Sequence, residues 1–323
     1  MKNFLKFNPK KIIFLGWHPV LIEKIKINIK NRIQTEIICS PKQYKFAKKV
    51  NNIQSTSIKG INKKFFNYLK KNNSKSKNVL FISHAFPWII KKNIIKKYFN
   101  NNLLNIHHSR LPYDAGRAAT SWRIMRNDMI NSTVIHKIDD TIDNGPVVFR
   151  KDEIFPSECK TPSDYEKFIC SQSIEMYENF IGFVKSGKKF LIKHQPEFIG
   201  RYNPKLNTKI NGFINWDNSS EMVYRLICAF DEPYEGAKTR FNKQIVKLKD
   251  VYLHGGETQN HPLLAGSVLR NDGKWIIVAT SDNNSLIVKK VLNNKNKNIL
   301  NKIRAGSRLY SNVSDIIKSK RNA

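Results

Sequence analysis

Acidic residues are scarce in this 323-residue chain. It has 25 Asp+Glu against 57 Lys+Arg, a formal net charge of +32. A surface that basic attracts polyanions, so nucleic acid is one class of partner to weigh. The lysines are spread along the chain rather than blocked. They also keep company with Asn and Ile, as in "NNKNKNILNKI" (293–303). These residue types share AT-rich codons, and that bias is the simpler origin of the charge. Cysteine is scarce too. Cys39, Cys159, Cys170 and Cys228 form no C-x-x-C pair, so neither a zinc site nor a disulfide framework is indicated. A reducing, cytoplasmic setting is expected. No apolar run approaches the ~20 residues that span a bilayer. "IIFL" near the N-terminus is too short even for a signal peptide core, so no membrane insertion is expected. A dinucleotide fingerprint is also missing: "GWHPVL" (16–21) follows the first strand-like run where G-x-G-x-x-G would stand.

What is present reads as an α/β domain. "KIIFLGW" (11–17), "TEIICS" (35–40), "NVLFIS" (78–83), "LLNIHHS" (103–109) and "STVIHKID" (132–139) are short β-rich runs. Helix-like stretches such as "KFFNYLKK" (64–71) lie between them. Alternation of this kind implies βαβ units and a doubly wound, mainly parallel sheet. A long helix is expected over 161–187, with Thr161 as cap, Pro162 at the first position, Asp164 in the first turn and Gly187 at the end. The Pro-, Gly- and Asn-rich stretch 195–213 reads as a linker. A helix at 219–230 then precedes "GAKTRF", "QIVKLKDVYLH", "LAGSVLR", "WIIVATS" and "SLIVKKV". Short strands with turn signals between them predict a small β-barrel of the OB type. The expected division is therefore a catalytic domain at 1–194, the linker at 195–213, a barrel at 214–305 and a basic tail at 306–323.

The stretch "NIHHSRLPYDAG" (105–116) carries the chemistry. On a strand, residues i and i+2 share a face. Asn105 and His107 therefore point one way and His108 the other. Both would sit at the carboxyl end of a strand, where open α/β sheets bind ligands. Asp139, Asp140 and Asp143 lie in the later loop "IDDTIDNG" (138–145). A histidine oriented by a carboxylate beside an amide donor makes an acid–base and oxyanion set. On spacing alone, a packing role for the histidine stands beside the catalytic one. A shared metal ion is disfavoured, because adjacent strand residues face apart, and no metal is expected.

"NIHHSRLP…G" followed by "IDDTIDNGPVV" resembles the signature of the folate-dependent formyltransferase family. "INWDNSSEMVYRLICAFDEPYEGAKTRF" (214–241) is similar to the opening of the C-terminal domain of methionyl-tRNA and amino-sugar formyltransferases. The resemblance implies a Rossmann-like formyltransferase domain, 10-formyltetrahydrofolate as co-substrate and a primary amine as acceptor. It implies Asn105, His107 and Asp143 as the catalytic trio, with Asp143 favoured because it precedes the Asn-Gly turn. It places the pterin against Phe86, Trp88, Ile89, Asp139, Asp140 and Ile142. Ser109, Arg110, Tyr113 and Trp122 are the expected acceptor contacts. The chain departs from the pattern at Asn144, where threonine is usual, and at Arg110, where leucine is common. The loop "YDAGRAATSW" (113–122) also differs from the commoner Arg- and Gly-rich form.

Two acceptors are open. The charge favours methionyl-tRNA. Against it, "TEIICSP" runs at once into helix-like "KQYKFAKKVNN" (42–52), leaving no room for the basic insertion that methionyl-tRNA formyltransferases usually carry there. A nucleotide-linked amino sugar is the favoured acceptor. A catalytically inactive, basic nucleic-acid-binding protein is the remote alternative.

Overall fold

The computed structural model describes residues 4–116, 119–196, 202–255 and 259–321. Residues 197–201 of the expected linker, and 117–118 of the loop between Tyr113 and Trp122, lie outside them. By its contacts the chain divides into two units. The first comprises Met1–Ala115, Ile130–Ile154 and Phe168–Tyr202; the second comprises Gly116–Met129, Phe155–Lys167 and Asn203–Ala323. The division is thus not one cut near 195, because 116–129 and 155–167 group with the C-terminal residues.

In the first unit, seven strands form one sheet. They are β1 (Lys11–Leu15), β2 (Gln34–Cys39), β3 (Gln54–Ser57), β4 (Val79–Ser83), β5 (Leu103–His107), β6 (Ile130–Lys137) and β7 (Val147–Ile154). Their order is β3-β2-β1-β4-β5-β6-β7. The first five are mutually parallel, and β6 and β7 continue antiparallel. The direction of winding reverses between β1 and β4. Ile12, Ile13, Phe14 and Leu15 of β1 are all fully buried, as a sheet covered on both faces requires. Period 2 splits them. Ile12 and Phe14 join Ile37, Leu104 and Ile135 in one cluster, where Tyr177 and Phe180 also pack. Ile13 and Leu15 join Ile38, Phe81 and Phe65 in the other. The helices of this unit are α1 (Leu21–Lys30), α2 (Pro41–Ala47), α3 (Lys63–Lys71) and α4 (Lys92–Tyr98); α5 (Ala119–Arg126) belongs to the second unit, and α6 (Pro162–Lys185) has its first turns there and the rest in the first.

Local chemistry sets several boundaries. Ser40 caps α2 in a reciprocal box with Gln43, so β2 passes into α2 through a single residue. Thr161 and Asp164 exchange the same bonds at α6: the Asp164 amide donates to Thr161 Oγ1 (3.3 Å), and the Thr161 amide donates to Asp164 Oδ2 (2.9 Å). Gly16 (φ +98°) ends β1 where a Cβ would lie 2.2 Å from the His84 carbonyl oxygen. Only glycine allows the ends of β1 and β4 to approach so closely.

In the second unit, α7 (Ser220–Ala229) precedes β8 (Ala237–Phe241), β9 (Gln244–His254), β10 (Val268–Asn271), β11 (Ile276–Ala279) and β12 (Ser285–Leu292). These form an antiparallel sheet in the order β8-β9-β12-β11-β10. Tyr310 bridges to Arg240 on the edge strand β8, and Arg308 bridges to Ser267 beside the other edge strand, β10. One segment thus pairs with both edges and closes the sheet on itself, which is how a barrel removes its edges. That segment corrects the reading of 306–323 as a tail. The helix α8 (Val313–Ser319) follows it. Asp315 on α8 accepts two bonds from the Arg240 guanidinium, at 2.6 and 3.1 Å.

Candidate active site

Asn105 and His107 end β5, and the parity expected of a strand holds. Both line one cavity of about 270 Å³ with His136 and Asp143. Phe86, Trp88, Ile89, Asp139, Asp140 and Ile142 line the same cavity. One wall is apolar and open. The Phe86 and Trp88 rings meet edge to face at 5.2 Å, and Ile89 and Ile142 are 69% and 67% exposed. Exposed apolar side chains converging on a polar centre suit a flat heteroaromatic ligand.

The loop after β6 is shaped to bring its carboxylate inward. Asp143 takes a left-handed conformation (φ +55°), which aspartate tolerates better than most residues. Two residues later, a Cβ on Gly145 would lie 1.8 Å from the Lys137 carbonyl oxygen, so only glycine lets the loop close back on the strand. Gln195 pins this turn. Its Nε2 donates to the backbone carbonyls of Asp143 (2.9 Å) and Gly145 (2.8 Å). Asp143 Oδ1 then lies 3.8 Å from His107 Nδ1 and 3.8 Å from His136 Nε2. The other two carboxylates are engaged elsewhere. Asp139 Oδ1 accepts from the Thr141 amide and hydroxyl at 3.0 and 2.8 Å. Asp140 pairs with Lys92, whose hydrogen bond holds its carboxyl below the usual range.

His136 is 2% exposed and stands directly opposite Asn105 in the β5–β6 register. Its Nδ1 lies 2.9 Å from the Lys137 carbonyl oxygen. A carbonyl only accepts, so Nδ1 carries the proton and Nε2 is an acceptor. The Asn105 amide nitrogen, 3.1 Å from Nε2, therefore donates to it. Burial, and then the neighbouring His107, lower the His136 pKa to about 4, which keeps the ring neutral at ordinary pH.

His108 looks the other way. Its Nε2 lies 3.4 Å from His84 Nε2, and the His84 ring stacks on His18 with centroids 5.4 Å apart. Behind them, Lys24 is fully buried. Its Nζ donates to Ser173 Oγ (2.7 Å) and lies 3.4 Å from His84 Nδ1. Burial lowers the Lys24 pKa to about 7. Burial and the Lys24 charge push His84 well below the usual imidazole range.

The expected acceptor contacts do not gather at the cavity. Ser109 is buried, and its hydroxyl donates to the Asp114 carbonyl, bracing the loop. The Arg110 guanidinium sits over the Tyr113 ring at 5.2 Å. Tyr113 lines a separate groove with Phe149, Arg150 and Phe190. Trp122 belongs to the second unit and donates to the Pro204 carbonyl (2.8 Å). Conversely, His136, Gln195, His84 and Lys24 were not anticipated. The one available hint was a histidine inside the apolar strand "STVIHKID".

Residues 37–178 match the family model "Formyl transferase", and residues 207–308 match "Formyl transferase, C-terminal domain". The chain belongs to the formyltransferase family. It is accordingly an enzyme of the transferase class. This formyltransferase is 28% identical over 232 residues to a methionyl-tRNA formyltransferase of Prochlorococcus marinus subsp. pastoris, covering 67% of this chain and 69% of that one. It is 24% identical over 292 residues to the Clostridium acetobutylicum methionyl-tRNA formyltransferase, covering 86% and 91%. Among solved structures, it shares its fold with an N-formyltransferase from Helicobacter canadensis described in complex with folinic acid and dTDP-3-aminofucose. That match has a TM-score of 0.65 and 17% identity, and covers 87% of this chain and 99% of the other. No helix among the described residues is long and apolar enough to cross a membrane.

Proposed function

We propose that the enzyme transfers a formyl group from 10-formyltetrahydrofolate to the primary amine of a nucleotide-linked amino sugar. The observation that carries the transfer reaction is the single cavity shared by Asn105, His107, Asp143 and the six residues expected to hold the pterin. The acceptor nitrogen attacks the formyl carbon and gives a tetrahedral oxyanion. His107 takes the proton the nitrogen sheds and returns it to N10 of the folate as the carbon–N10 bond breaks. Asp143, 3.8 Å from His107 Nδ1, supports the charged imidazole between those steps. Asn105 donates an amide N–H to the oxyanion. Atoms balance: the amine becomes a formamide, and tetrahydrofolate leaves with the proton.

The acceptor assignment rests on β2 and α2. Ser40 alone separates Cys39 from Pro41, and this short connection supports an acceptor that needs no insertion there. A nucleotide-sugar is such an acceptor. Methionyl-tRNA remains the second reading, favoured by the sequence relatives and the net charge of +32. Affinity for RNA does not discriminate, since so basic a chain binds RNA in a salt-dependent way regardless of substrate. Turnover does. Incubation with 10-formyltetrahydrofolate, a panel of nucleotide-linked amino sugars and methionyl-tRNA, read by mass spectrometry, should give the higher kcat/KM on an amino sugar. Efficient formylation of methionyl-tRNA with no sugar turned over reverses the assignment. No folate-dependent turnover on any amine promotes the nucleic-acid-binding alternative.

A further inference from the structure

We infer that His136 is a positioning residue for the transfer reaction: it holds the Asn105 carboxamide in the one orientation that turns an amide N–H toward the reacting formyl oxygen. This rests on the reading of Asn105 as the oxyanion donor. A carboxamide has two flip states of nearly equal shape, and only its hydrogen-bond partners choose between them. Here the choice is made by a short chain of bonds. The Lys137 carbonyl accepts from His136 Nδ1 (2.9 Å), leaving Nε2 with a lone pair facing Asn105 (3.1 Å). In the flipped state, Asn105 Oδ1 would face that lone pair, so one bond would be lost and two acceptors opposed. With the flip fixed, one N–H of the amide is committed to His136 and the second is available at the cavity that both residues line.

The same tautomer has a consequence for Asp143. Its Oδ1 is equally far, 3.8 Å, from His107 Nδ1 and His136 Nε2. Because Nε2 carries no proton, His136 offers this carboxylate no donor. The imidazole that Asp143 supports is therefore His107. Four groups face His136 from the packed elements: His107 and Asn105 on β5, and Asp139 and Asp143 from the loop that follows β6.

Two measurements test the inference. Nitrogen-15 NMR on imidazole-labelled enzyme at pH 7 should show His136 neutral with its proton on Nδ1, and Asn105→Ala should shift the Nε2 resonance. A ring protonated at Nε2 overturns the proposal. Kinetics on the panel acceptor with the highest turnover should then separate two substitutions. His136→Gln places an amide oxygen near the Nε2 position and should keep most of kcat. His136→Asn reaches only as far as Nδ1 and should lose about 10–100-fold in kcat with KM for the folate unchanged, somewhat below the ~10²–10³ expected when an oxyanion donor is deleted outright. In the Asn105→Ala background, His136→Asn should cost nothing more. Equal losses for Gln and Asn, or additive losses in the double variant, overturn the positioning role while leaving Asn105 as donor. Wild-type turnover in Asn105→Ala instead removes the donor reading itself.

Discussion

His107 and His108 are chain neighbours with opposite surroundings. His107 faces a cavity holding a carboxylate, an amide and an apolar wall open to solvent. His108 faces the His84 imidazole, which is itself flanked by His18 and by the buried amine of Lys24. On the first face, an acid beside the histidine stabilises added positive charge. On the second, the nearest group is another imidazole backed by an amine, so added charge meets repulsion. A strand's two-residue period thus separates a group able to cycle a proton from a group better kept neutral, across one peptide unit.

The contrast breaks most visibly in turnover. His107→Ala should lower kcat by about 10²–10⁴, the usual contribution of a positioned acid–base group. His108→Ala should fold and keep much of its activity. The reverse ranking in the same assay would show that the strand register is read one residue out. A smaller effect is expected at the carboxylate. Asp143→Asn keeps the left-handed turn, which asparagine also tolerates, but removes the charge that supports the imidazolium. A loss of about 10²-fold in kcat is expected, on the scale of one electrostatic stabiliser, with folate affinity nearly unchanged. Asp140→Asn, whose parent carboxylate is tied to Lys92, serves as the control. An equal loss there with none at Asp143 would mean that the wrong aspartate has been singled out.

Much of this was legible in the sequence, for identifiable reasons. The strands at 11–15, 79–83 and 103–107 are continuous β-rich runs, because both faces of the sheet are covered. β3 was not legible. "QSTS" carries no apolar residue and lies at the sheet edge, where pairing with β2 supplies its order. β7, "VVFRKDEI", alternates, but it follows a turn signal and is rich in charge, which masks its strand pattern. The face shared by Asn105 and His107 follows from the chain's own period. The placement of His136 depends on an antiparallel register and that of Gln195 on a partner fifty residues away, and neither leaves a local mark. The segment 306–310 closes its barrel through backbone bonds, which have no side-chain signature.

The mildest test sharpens the other half of the comparison by asking whether the face behind His108 resists charge. Lys24 has a folded pKa of about 7 against an ordinary 10.5, through burial. Between those values the unfolded chain holds a proton that the folded chain lacks. Stability therefore rises with pH across that window, by up to ~1.4 kcal/mol per pH unit from this group. Below pH 7 the folded lysine is charged as well, and its own slope vanishes. His84, also depressed, then continues the trend, because the unfolded imidazole takes up its proton first as pH falls through 6.5. Lys24→Met keeps the length of the side chain and removes the titration, at the expense of the bond to Ser173. Urea unfolding midpoints from pH 7 to pH 10 should climb more steeply for the wild type than for the variant, the difference shrinking toward the alkaline end. Absolute stability at one pH says little, since the lost Ser173 bond offsets the relief of burying an amine. The slope isolates the charge. Parallel curves for the two proteins would mean that Lys24 keeps its proton in the folded state, and that the face behind His108 accepts positive charge as readily as the face that holds Asp143.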